Sequence, residues 1–140
     1  MRAIVLVNLL VGVLPVLLLS LQGCGAEYSK KGKLSQHTLV FYDALRWKRF
    51  QEMEAYIPAD KMEEFNEEVK KKYKDVKFVD YEITEIKVNE EKDTAGVIVE
   101  LEWHRLDETI IHECTIKETW SYISMGWFRM GMEVVSGEMP

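Results

Sequence analysis

Thr94-Ala95-Gly96-Val97-Ile98-Val99-Glu100-Leu101-Glu102-Trp103 and His112-Glu113-Cys114-Thr115-Ile116-Lys117-Glu118-Thr119-Trp120-Ser121-Tyr122 are the two stretches that decide the fold. Both alternate with a period of two, the signature of half-buried strands. A tight turn at Asp107-Glu108 pairs Trp103 with His112, Leu101 with Cys114, Val99 with Ile116 and Val97 with Glu118. Every apolar partner then lands on one face, as a specified register requires. Further on, Ser124-Met125-Gly126 reads as a three-residue loop with Gly126 in the left-handed position, which pairs Tyr122 with Phe128, Trp120 with Met130 and Glu118 with Met132. Upstream, Ile86 and Val88 face inward, while Val79, Tyr81 and Ile83 have the opposite parity. A β-bulge near Thr84-Glu85 reconciles them and bends the sheet. The expected strands are 78–89, 95–105, 109–123 and 127–135, a curved antiparallel sheet of four strands or more with one oily face.

Two helices precede them. The first is expected from Gln36 to Tyr56, capped by Ser35 and ended by Pro58, with Leu39, Tyr42, Leu45, Trp47, Phe50, Met53 and Tyr56 as a wide buried stripe. Asp60 followed by Glu63 has the spacing of a capping box. Met62, Phe65, Val69 and Tyr73 then mark one face of the second helix. Its early glutamates and late lysines (Lys70, Lys71, Lys72, Lys74) complement the helix dipole, so the lysine run reads as a solvated last turn. Helices followed by a meander make an α+β class domain.

The N-terminus says where such a domain works. Arg2 supplies a positive start, Ala3 to Leu21 is almost wholly apolar, and Leu21-Gln22-Gly23-Cys24 closes the segment. That is the layout of a secretory signal. Leu-x-Gly-Cys resembles the lipobox of bacterial lipoproteins. The resemblance implies cleavage between Gly23 and Cys24 and acylation of the Cys24 thiol, with membrane attachment through that lipid. Gln22 departs from the smaller residue usual there, which implies slower cleavage, and Gly25 favours the outer membrane where the source has two. The alternatives are an ordinary secreted protein and an uncleaved spanning helix, for which about 19 apolar residues just suffice; Gly12 and Pro15 in the middle of that helix, and the placement of Cys24, argue against it. The expected organisation is therefore a signal peptide 1–23, an acylated Cys24 with a flexible tether 24–37, and one globular domain 38–140. Cell-envelope localisation outside the cytoplasm follows.

Of 140 residues, 47% are hydrophobic and 30% charged, with a formal net charge of −6. An acidic chain lacks the clustered Lys/Arg that nucleic acid requires, so no nucleic-acid partner is expected. With Cys24 acylated, Cys114 has no intramolecular partner and reads as a buried, inert thiol. His37, His104 and His112 show no metal-ligand spacing, and glycine-rich phosphate loops and G-x-S-x-G elbows are missing, so neither metal nor cofactor is expected.

Phe41-Tyr42-Asp43-Ala44-Leu45-Arg46-Trp47 on the first helix, and Glu118-Thr119-Trp120-Ser121-Tyr122 on the bent sheet, complete a familiar order. From about 36 to 135 the chain resembles the nuclear transport factor two-like superfamily, relatives of ketosteroid isomerase and the SnoaL-like cyclases. The resemblance implies a cone-shaped domain whose sheet wraps the first helix and leaves a pocket at the wide end. Tyr42, Trp47, Trp103, His112, Glu118, Trp120, Tyr122 and Met130 are the residues that would line it, taking a small hydrophobic ligand or simply filling the core. Glu118 and His112 are polar residues at inward positions, hence the candidate catalytic bases of an isomerase or cyclase. Six residues apart on one strand, about 20 Å by strand rise, they do not share a proton. The expected function is a non-catalytic ligand-binding or protein-interaction module on a lipid anchor. The alternatives are that enzyme, and an envelope homodimer through outward Ile111, Thr115, Thr119, Ile123 and Trp127.

Overall fold

The computed structural model describes residues 29–140; Gly23, Cys24 and the signal segment lie outside them. Helix α1 (Lys30–Arg46), the short α2 (Phe50–Glu54), a 3₁₀ turn (Ala59–Lys61) and α3 (Met62–Lys72) precede four strands, β1 (Val76–Asn89), β2 (Thr94–Arg105), β3 (His112–Ile123) and β4 (Gly126–Gly137). The strands form one antiparallel sheet in the order β1-β2-β3-β4, an α+β architecture with the helices over one sheet face.

Helix α1 starts earlier and stops sooner than expected. Ser29, in place of Ser35, is the cap, its hydroxyl accepting from the Gly32 amide at 3.0 Å. Leu34, Thr38, Phe41, Tyr42 and Leu45 form the buried stripe. The tether expected at 24–37 is thus helical from Lys30, because Leu34 packs into the core despite its lysine-rich neighbours. The helix ends where Lys48 takes a left-handed φ of 55°, after which α2 begins as a separate element. The capping box at Asp60 does not form. Asp60 sits inside the 3₁₀ turn that follows Pro58, and no side chain caps α3. The inward face of α3 is as expected, with Phe65, Val69 and Tyr73 buried.

The β2–β3 register is the expected one, from Trp103 opposite His112 to Val97 opposite Glu118, although β3 begins at His112 rather than 109. Strand β1 carries the bulge foreseen at Thr84 and a second at Val79. Together they keep Phe78, Tyr81, Ile83, Ile86 and Val88 on the covered face. The β3–β4 connection differs. Ser124 and Met125 both have positive φ, 48° and 69°, giving a two-residue turn of the hairpin type in place of the three-residue loop. Ile123 therefore pairs with Gly126 and Tyr122 with Trp127. That slip of one residue turns Trp127 into the core, 1% exposed, where outward placement was expected. A bulge at Met130 then restores Glu118 opposite Met132, as foreseen.

Candidate functional site

The covered face of the sheet meets α1 in an aromatic core. Trp120, Trp127, Tyr42 and Phe41 are its largest fully buried side chains, and Phe41 packs edge-on against Trp120 at 5.7 Å. Among the described residues one carboxylate lies inside it: Glu118, 0% exposed. Its Oε2 accepts from Trp120 Nε1 at 2.9 Å, and its Oε1 accepts from Arg129 Nε. The Arg129 guanidinium also lies over the Phe41 ring, 5.3 Å from its centre. Burial works against the arginine charge, but the charge and hydrogen bond of Glu118 more than offset it, so Arg129 stays charged.

Arg129 escaped the sequence reading because the three-residue loop turned it outward. An inward Glu118 demands a buried donor, and Arg129 on the neighbouring strand was the cation within reach. Tyr42 lies nearby with its hydroxyl unpartnered in the core. Burial, with the Glu118 charge second, holds that phenol well above its usual pKa.

The space left between α1, α3 and the sheet is about 10 Å³, lined in part by Tyr42, Leu101, Arg129, Met132 and Met139. That is room for a single water molecule at most. Outside it, a shallow groove of about 260 Å³ runs between α3 and β4, with Lys61, Glu64, Glu68, Arg129 and Met130 on its walls.

The expected pocket set therefore divides. Tyr42, Trp103, Glu118 and Trp120 are buried; Tyr122 is half-buried, edge-on to Trp127 at 5.3 Å. Met130 is the bulged residue on the outer groove. Trp47 is 65% exposed, since the helix has already ended before it, and lies outside the core. His112 is half-exposed, stacked on Trp103 at 4.4 Å and paired with Glu108 Oε2 at 3.1 Å. Cys114 is buried, as expected, with its Sγ 3.3 Å from Met139 Sδ, and burial pushes its thiol pKa up.

Two surfaces remain. The end of the sheet at the β2–β3 loop exposes Leu106, Ile110 and Ile111. Trp47 lies at the same end, because Lys48 Nζ donates to Lys74 O and Leu106 N to Asp75 O, tying both segments to the start of β1. The uncovered sheet face carries a groove of about 510 Å³ whose walls include Asp80, Glu82, Glu100, Glu102 and Glu113. Trp127 is missing from that face, and a self-dimer through it would set like charges together.

A sheet that curves by bulges around a leading helix can be compared with solved structures. The fold is shared with solved structures. A ketosteroid isomerase-like protein from Erwinia carotovora atroseptica superposes with a TM-score of 0.62 at 16% identity, over 77% of this chain and 98% of that one. A protein of unknown function with a cystatin-like fold from Nostoc punctiforme gives 0.54 at 11%, over 73% and 86%. The intermembrane space region of chloroplast protein ARC6 gives 0.55 at 10%, over 76% and 96%. No protein-family model and no curated protein matches the sequence. Within this shared fold the interior of the present chain is occupied by its own side chains. Among the described residues there is no metal-binding cluster and no helix long and apolar enough to cross a membrane.

Proposed function

We propose that this protein is a lipid-anchored envelope lipoprotein whose ketosteroid isomerase-like domain is a non-catalytic protein-interaction module. The observation that carries the proposal is the filled interior: Trp120, Trp127, Phe41 and Tyr42 leave about 10 Å³. Glu118, the expected base, has both oxygens committed, one to Arg129 and one to Trp120. His112 lies outside the core, against Glu108. Neither arrangement leaves a free base facing a substrate-sized space, which a general-base reaction requires. Recognition then falls to the surface, and exposed Trp47, Leu106, Ile110 and Ile111 offer aromatic and aliphatic anchors at one end. The lipid anchor rests on Leu21-Gln22-Gly23-Cys24.

The test uses the full chain made in a bacterium fed radioactive palmitate. The wild type takes up label and Cys24→Ser does not; equal labelling overturns the anchor. Native mass spectrometry of the wild type released from micelles then reads the module. The expected spectrum is the acylated chain with no further small molecule, and a reproducible extra mass overturns the filled-interior reading.

A further inference from the structure

If Cys24 carries the lipid, as proposed above, the start of α1 fixes which end of the domain meets the membrane. Ser29 caps α1, and the five Cα steps from Cys24 to Ser29 reach about 18 Å at full extension. The first turn of α1 is in turn fastened to one end of the sheet. Lys30 Nζ meets Asp93 Oδ1 at 2.5 Å and lies 4.9 Å from the centre of the Tyr122 ring, and Trp127 Nε1 donates to Lys30 O at 3.0 Å. Asp93 closes the β1–β2 turn, and Tyr122 and Trp127 flank the β3–β4 turn. Both turns of the meander are thus held beside the point where the chain leaves for its anchor.

The tip of that end is apolar. Met125, in the β3–β4 turn, is 87% exposed and Ile123 beside it 45% exposed. A methionine at a turn apex is an unbranched apolar side chain that adapts to an irregular apolar boundary. The charges of the adjoining segments nearly cancel in number: Lys31, Lys33 and Lys92 against Glu90 and Glu91, with Lys30 already paired with Asp93. The uncovered sheet face, by contrast, presents Glu82, Glu100, Glu102 and Glu113 to solvent. Laying the domain flat on that face would press carboxylates against lipid phosphates.

We infer that the β3–β4 turn end docks on the bilayer surface that holds the acyl chains, with Met125 at the headgroup–acyl boundary. The sheet then stands away from the membrane. Strand β3, twelve residues long, carries the β2–β3 loop about 40 Å outward. Leu106, Ile110 and Ile111 therefore point away from the lipid, toward whatever the module recognises.

The experiment is depth-dependent quenching on the full acylated chain reconstituted in phosphatidylethanolamine/phosphatidylglycerol vesicles. Single cysteines replace Met125, Ile110 or Glu100, and each is labelled with an environment-sensitive fluorophore; unsubstituted chain corrects for any reaction at buried Cys114. The expected result is that lipids brominated near the headgroup quench the label at 125 several-fold more than at 110 or 100. Equal quenching at all three sites, or strongest quenching at 110 or 100, on protein whose intact mass includes the acyl chains, overturns the docking. An intact mass without acyl chains overturns the anchor reading, and this inference with it.

Discussion

Replacing Arg129 with methionine tests the polar centre of the core most directly. In that variant Glu118 stays fully buried and keeps the Trp120 indole donor at 2.9 Å, but loses the guanidinium. The arginine side chain is 12% exposed and the carboxylate 0%, so solvent screens the pair little. Removing one member of such a pair costs about 3–5 kcal/mol, because the remaining charge is stranded without compensation. Against a total stability of about 5–15 kcal/mol for a domain this size, that is at least about a fifth of the whole. The control is the double variant Glu118→Gln, Arg129→Met. It removes both charges while leaving a carbonyl oxygen for the Trp120 indole, and should lie within about 1–2 kcal/mol of wild type. Urea unfolding followed by tryptophan fluorescence reads both, since Trp120 and Trp127 sit beside the pair, and an unchanged m-value shows that stability alone moved. A loss below about 1 kcal/mol for Arg129→Met, or a double variant as unstable as the single, refutes the reasoning.

Gly137→Ala should cost at least about 2 kcal/mol, because φ is +75° there and a Cβ would sit 2.2 Å from the Glu113 carbonyl oxygen. Because Gly137 pairs with Cys114, faster reaction of that thiol with Ellman's reagent should accompany the loss. Tyr42→Phe removes a buried hydroxyl that has no partner, and equilibrium unfolding should register a change below about 1 kcal/mol or a small gain. A larger loss would reveal a partner for that hydroxyl, the Glu118 carboxylate beside it or a water in the interior space. Burial, aided by Lys33, lowers the His37 pKa below its usual 6.5, so the unfolded chain takes the proton more readily than the folded one. Stability is therefore whole above that value and falls as the pH drops through it. Thermal melts from pH 7.5 to 5 should show that slope in wild type and a shallower one in His37→Gln.

Much of this was legible in the residues. The β2–β3 register followed from alternation and the placement of the turn at Asp107-Glu108 together: a one-residue slip would turn Glu100 or Lys117 inward in place of Val99 or Ile116, and the turn chose among the pairings that remain. The bulge at Thr84 followed from a parity conflict within one strand. Two misreadings were local decisions with long consequences. Ser124-Met125 could close a loop of either two or three residues. The choice of two turned Trp127 and Arg129 inward, and the bulge at Met130 then returned Met132 to its foreseen place. The start of α1 was hidden because Gly32 and three lysines look like linker, while Leu34 earns its helix only by packing into the core.

By itself the sequence determined the α+β class, the meander and the inward position of Glu118, since these depend on periodicities each segment carries alone. Tertiary structure decided what that glutamate does. Whether a buried carboxylate is a base or half of an ion pair depends on which side chain from another strand reaches it. Here one turn, at Ser124-Met125, settled it by bringing Arg129, eleven residues along the chain, onto Glu118. It also decided that the interior is full. Packing leaves about 10 Å³ between α1, α3 and the sheet, a volume that three separate elements fix jointly and no one of them encodes.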